Sequence, residues 1–175
     1  MIFCSLGPAA PFYRALTPSF AYQPESGAGA AVAGGRFNRP AIEARYLAAT
    51  PEAALAEYQA ESQLLSPATV ATYQVSADRI VDFTGGYDAA KWTPIWAEAY
   101  CNWKSMAFLD QDEPPSWVIG DLVREAGHPG ILYRSARAPE HTCLVLFPEL
   151  SARFRAPVYD PEGRLPKNAD SWKAR

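Results

Sequence analysis

RYLAATPEAALAE, residues 45–57, changes its periodicity halfway along. The first half, taken from Ala44 to Thr50, carries Tyr, Leu and Thr in a run suited to a strand, with Tyr46 and Ala48 on one face and Arg45 and Leu47 on the other. Thr50-Pro51-Glu52 then starts a helix. It supplies a hydroxyl N-cap, a proline where the missing N–H costs nothing, and a carboxylate at the positive end of the helix dipole. The spacing predicts a helix to about Leu64. Glu57 falls on its small apolar stripe, between Ala53, Ala60 and Leu64, whereas Glu52 and Glu61 lie toward the edges. A strand feeding directly into a helix implies a sheet with helices packed on it, and Glu57 is the one acid that small neighbours leave approachable.

Upstream, Pro11–Leu16 reads as a short strand that contains Arg14 and is ended by Thr17-Pro18. QPESGAGAAVAGG, residues 23–35, has no clear period and reads as a loop. It is no phosphate-binding P-loop, because no Gly-Lys-Ser/Thr follows it. RFN, residues 36–38, comes next, then a break at Pro40.

Downstream, Ala68–Val75 and Ile80–Phe83 read as two strands, closed by Gly85-Gly86. Ile95–Leu109 places Trp96, Tyr100, Trp103 and Ala107 at spacings of three and four, as an amphipathic helix would. A further helix is expected over Ser116–Ala126, after Pro114-Pro115 and before Gly127 and Pro129. Gly130–Arg137 reads as a strand with Tyr133, Ser135 and Arg137 on one face, and His141–Phe147 as the last strand. The remainder, with Pro157, Pro161, Gly163 and Pro166, reads as an irregular tail. The fold class that follows is α+β: one domain over residues 1–175, with a core at about 11–150, built on a mixed, mostly antiparallel sheet with packed helices.

The composition narrows the function classes. A chain of 175 residues that is 49% hydrophobic can bury an adequate core without staples. Sixteen basic and nineteen acidic side chains give a charge of −3, which argues against direct nucleic-acid binding and against attraction to anionic membranes. No apolar run is long enough to span a bilayer and the start lacks the pattern of a signal peptide, so a soluble, cytoplasmic protein is expected. Cys4, Cys101 and Cys143 have no paired spacing, so neither a disulfide framework nor a metal site is expected. His141 lies two residues before Cys143 and would share its strand face, so a thiol–imidazole pair is a minor reading; a core cysteine beside a surface histidine is the plainer one.

Taken singly, Arg36, Tyr46 and Glu57 read as a surface cation, a packed ring and a solvated acid. Together with Arg14 and Ser135 they match a specific task. Arginine forks grip pyrophosphate, an aromatic face stacks on a nicotinamide ring, and a carboxylate steadies a cationic ribose. These are the demands of cleaving NAD+.

GGRFN at 34–38, RYLAATPEAALAE at 45–57 and GILYRSAR at 130–137 resemble, in order and spacing, the segments that give RES-domain toxins their Arg, Glu and Ser. The resemblance extends from about Arg14 to Phe147. It implies a RES-like domain with an ADP-ribosyltransferase-like fold, NAD+ as substrate and no metal. It also implies the toxin component of a toxin–antitoxin system, with a helix-turn-helix antitoxin as partner and, for a transferase, a target protein. By position, Arg14 and Arg36 would bind the phosphates or orient the ribose, and Tyr46 would contact the nicotinamide side. Glu57 would hold a ribose hydroxyl and stabilise the oxocarbenium-like transition state. Ser135 would hydrogen-bond substrate or Glu57 rather than act as a nucleophile, and Tyr133 is a secondary binding candidate. Glu57, Arg36 and Tyr46 are thus the catalytic candidates. The acceptor of ADP-ribose, whether water, phosphate or a protein side chain, stays open. The alternative is a non-catalytic protein-binding module on the same fold.

Overall fold

A computed structural model describes residues 1–60 and 62–172 of the chain. Its sheet begins with β1 (Phe3–Leu16), followed by a short helix α1 (Ala28–Ala33), β2 (Arg45–Ala48) and helix α2 (Pro51–Gln59). Then come β3 (Thr69–Asp82), α3 (Trp103–Ser105), α4 (Pro115–Glu125), β4 (Gly130–Arg134), β5 (Thr142–Leu146) and β6 (Phe154–Arg155). The strand order is β1-β2-β5-β4-β3-β6, and β1 also pairs along β3, so the hydrogen-bonded circuit closes on itself. β3 and β4 are parallel; the other pairs are antiparallel. This is the mixed, mostly antiparallel sheet with packed helices that the sequence predicts, formed as one unit.

The two sheet faces carry separate cores. Ala48, Val81, Ile131, Tyr133, Cys143 and Val145 meet the helices through Ala53, Ala54, Ile119, Val123, Trp96 and Phe37. Phe12, Leu16, Leu47, Tyr73, Val75, Leu144 and Leu146 fill the opposite face. The alternation in residues 45–48 is therefore as read, with Tyr46 and Ala48 under the helices and Leu47 on the far side.

Several boundaries differ from the sequence expectations, each for a physical reason. The first strand starts at Phe3 rather than Pro11, because its whole length pairs with β3. Pro8 is accommodated where the register shifts between Leu6 and Ala10, so its missing N–H breaks no regular ladder. The two strands expected at 68–75 and 80–83 are one, β3, which passes through a positive φ of 56° at Arg79. The loop expected at 23–35 contains α1, six residues ended by Gly34 at φ 80°. Helix α2 stops at Gln59, because Ala60 turns to φ 53° and Leu64, 80% exposed, has no core to reach. Glu61 lies outside the described residues.

The amphipathic helix expected at 95–109 is broken. Pro94–Glu98 is a 3-10 turn, and Asn102 caps a fresh start at α3, which continues into a π-helical turn over Met106–Asp110. The carbonyls of Ala99 and Cys101 accept from the Arg36 guanidinium, and that of Cys101 also accepts from the Trp103 N–H in a tight turn. Trp96 is drawn into the core between Phe83 and Trp92, with ring centroids 4.9 and 4.4 Å away. The strand expected to reach Arg137 ends at Arg134, so Ser135 and Arg137 sit in the following turn. The tail is not wholly irregular, since β6 adds to the edge of β3.

Candidate active site

Cross-strand neighbours share a face, and the register lines up Tyr13 of β1, Ala48 of β2, Cys143 of β5 and Tyr133 of β4 across four strands. This row floors a cleft of about 490 Å³, within the size range of small-molecule sites. α2 supplies one wall with Glu57 and Tyr58, the 34–38 turn supplies Arg36, and α3 brings Trp103 and Lys104.

Glu57 is delivered by the capped start of α2, where the Thr50 hydroxyl accepts from the Ala53 N–H at 3.2 Å. Its carboxylate is fixed from the far side of the cleft. The Ser135 hydroxyl donates to Glu57 Oε1 at 2.5 Å, while accepting from the backbone N–H groups of Arg137 and Ala138 at 3.1 and 3.0 Å. With its lone pairs occupied by those N–H groups, the hydroxyl proton is turned toward Glu57 and the neighbouring Cys143 sulfur. Arg137 Nε lies 4.0 Å from Glu57 Oε2, giving the acid a charged neighbour as well.

Arg36 sits at the tip of the turn between Gly35 and Asn38, with its guanidinium carbon 5.5 Å from the centre of the Tyr100 ring. Tyr46 lines the cleft with its ring, but its hydroxyl is committed: it accepts from the Phe37 N–H at 2.9 Å and donates to Asn38 Oδ1 at 2.8 Å. Burial pushes the Tyr46 and Tyr133 hydroxyls well above the ordinary tyrosine range, so both stay protonated.

Arg36, Tyr46, Glu57, Ser135 and Tyr133 are thus brought around one cleft. Arg14 also lines the cleft, yet it pairs opposite Ala71 on the other sheet face, and its guanidinium donates to the carbonyls of Pro24 and Ser26 at 3.2 and 2.7 Å. Those two bonds clamp the 24–26 segment. Ser135, 1% exposed, acts on Glu57 rather than presenting its hydroxyl to the open space.

The thiol–imidazole reading fails on geometry. His141 Nδ1 lies 3.3 Å from Thr50 Oγ1 and Nε2 lies 3.4 Å from Glu140, with no contact to Cys143. The Cys143 thiol is pushed up to about 12, first by burial and then by the Glu57 carboxylate, whose Oε1 lies 4.0 Å away. It is a protonated floor residue. Among the described residues, no group of His, Cys, Asp and Glu is placed to hold a metal ion.

Sequence reasoning missed Tyr13, Tyr58, Trp103, Lys104 and Arg137 as cleft residues. Strand alternation would have exchanged Arg14 for Tyr13, since neighbours in a strand face opposite ways. Trp103 and Lys104 follow the break in the expected helix, whose local mark is the capping Asn102.

The RES domain family model matches residues 11–168. No curated protein matches the chain significantly. Among solved structures, the chain is similar to one from the M. tuberculosis MbcT–MbcA toxin–antitoxin complex, at 22% identity over 89% of this chain and 83% of that one, with a TM-score of 0.56.

Proposed function

The chain belongs to the RES-domain family, and from that premise we propose that it is the toxin of a toxin–antitoxin pair, breaking the nicotinamide–ribose bond of NAD+ in the Glu57 cleft. The observation that carries this reading is the Ser135 hydroxyl aimed at Glu57 across 2.5 Å. It holds a carboxylate in one orientation at the wall of an aromatic cleft, where a developing positive charge needs it. Preorganised charge of this kind is commonly the largest single contribution to catalysis.

In the proposed reaction, the nicotinamide ring packs among Tyr13, Tyr46 and Tyr133, and the Arg36 guanidinium meets the pyrophosphate. The bond between ribose C1′ and the ring nitrogen breaks with its electron pair passing to nicotinamide, which leaves neutral. Glu57 stabilises the cationic ribose and holds a ribose hydroxyl. An acceptor oxygen or side chain then bonds to C1′ and gives up its proton. Water or phosphate as acceptor would deplete NAD+, and a protein acceptor would make the chain a transferase. An ADP-ribosyltransferase-like ancestry, action in the cytoplasm and a helix-turn-helix antitoxin partner belong to the same proposal. The similarity to a protein solved with its antitoxin is consistent with the last.

The test is incubation of the purified chain with NAD+ labelled in its adenine half, with and without a cell lysate. Free nicotinamide with label in small molecules means hydrolysis or phosphorolysis; label on a lysate protein means transfer. No nicotinamide release under any condition overturns the proposal and leaves a protein-binding module.

A further inference from the structure

We propose that Asn38 is a positioning residue that sets the place of Arg36 in the cleft; its catalytic consequence rests on the cleft being the NAD+ site. Asn38 is 1% exposed and does not line the cleft, so it can act on a ligand only through others. Its Nδ2 group shares its protons among the carbonyls of Ala30, Arg39 and Ile42 at 3.0, 3.2 and 2.8 Å. Its Oδ1 accepts from the Tyr46 hydroxyl at 2.8 Å, and that hydroxyl in turn accepts from the Phe37 N–H at 2.9 Å. One amide thus joins the last turn of α1, the chain after the turn, and β2 through Tyr46.

Arg36 lies inside this knot. The turn is closed by the Gly35 N–H donating to the Asn38 carbonyl at 2.9 Å, and Trp117 Nε1 pins the Gly35 carbonyl at 2.8 Å. Of the turn's residues, Gly35 and Arg36 face the cleft. The packing leaves no slack. A Cβ at Gly35 would lie 2.6 Å from the Tyr46 hydroxyl and 2.7 Å from Asn38 Oδ1. An apolar residue of the same volume at 38 would fill the space while leaving the Tyr46 hydroxyl proton without its acceptor and taking one donor from each of the Ala30, Arg39 and Ile42 carbonyls. The turn would then be free to relax, and Arg36 would lose its fixed approach to Ala99, Cys101 and the Tyr100 ring.

The experiment combines two readouts on the full chain. The first is NMR relaxation of the Arg36 guanidinium without NAD+. The second is a kinetic cycle for nicotinamide release with Asn38→Ala, Arg36→Ala and the double variant. Asn38→Ala is expected to mobilise Arg36 and to lower kcat/KM about tenfold, while the double variant is no worse than Arg36→Ala alone. An equally ordered Arg36 in Asn38→Ala overturns the inference, as do losses that multiply in the double variant. If the wild type releases no nicotinamide yet Arg36 is mobilised, the positioning role stands and the functional reading falls. Should Asn38→Ala fail to fold, Tyr46→Phe removes the hydroxyl that joins Asn38 to the Phe37 N–H, and an unchanged Arg36 in that variant overturns the inference equally.

Discussion

Glu57 is joined to Ser135 by one short hydrogen bond, and the two residues answer to different variants. Glu57→Gln keeps the shape and removes the charge, so nicotinamide release is expected to fall about a hundredfold or more with the melting temperature nearly unchanged; steady-state kinetics beside a thermal melt checks this. Ser135→Ala leaves the carboxylate in place but unaimed, and it also strips the acceptor from the Arg137 and Ala138 N–H groups. A smaller loss of rate, about tenfold, is expected together with a drop in stability. Arg14 divides the two effects the other way. Because its guanidinium clamps the Pro24 and Ser26 carbonyls, Arg14→Ala is expected to lower stability while changing the KM for NAD+ less than Arg36→Ala does. Equal KM effects from the two arginines would return Arg14 to the substrate. By residue type alone Arg14 and Arg36 look equivalent in the sequence; the strand alternation that sets Arg14 on the face opposite Tyr13 is what tells them apart.

At the level of elements, α2 was legible and the segment after Trp96 was not. Thr50-Pro51-Glu52 is a local signal read correctly from three residues, since the cap hydroxyl and the proline act within one turn. Thr50→Ala should therefore cost about 1 kcal/mol, lowering the melting temperature by about 2–4 °C in a calorimetric scan. The helix expected at 95–109 had correct aromatic spacing but is interrupted where the carbonyls of Ala99 and Cys101 accept from an arginine more than sixty positions away, a partner that no local pattern contains. The same non-local control sets α4. A Cβ at Gly120 would stand 1.9 Å from the Phe37 carbonyl, so Gly120→Ala must push the helix away from the turn that carries Arg36. Its expected signature is reduced activity and stability together.

Over the whole molecule, the sheet class could be read in advance, whereas the closure of the strand circuit could not, because it depends on which strands meet. The floor of the cleft makes a pH prediction. Cys143 is raised from its ordinary 9.0 to about 12, and Tyr46 and Tyr133 move in the same direction. An unfolded chain releases these protons at lower pH than the folded one. Their contribution is full below about pH 9 and is lost as pH rises toward 12. Denaturant melts in that window should show falling stability, and Cys143→Val should flatten part of the slope. For the same reason iodoacetamide at neutral pH should label Cys143 far more slowly than a free thiol, read by mass spectrometry.

The closed circuit also governs when the molecule becomes dangerous to its maker. Glu57 leaves the ribosome early, but the serine that aims it follows 78 residues later, and β5, which ties β2 to β4, comes later still. At ~5–20 residues per second, synthesis of the stretch from Glu57 to Ser135 takes roughly 4–16 s, during which the acid exists without its partner. Long-range pairing then has to form before the cleft does. The toxin proposed above is therefore born harmless, and that interval, written into the order of its strands, is the time available for another chain to reach it first.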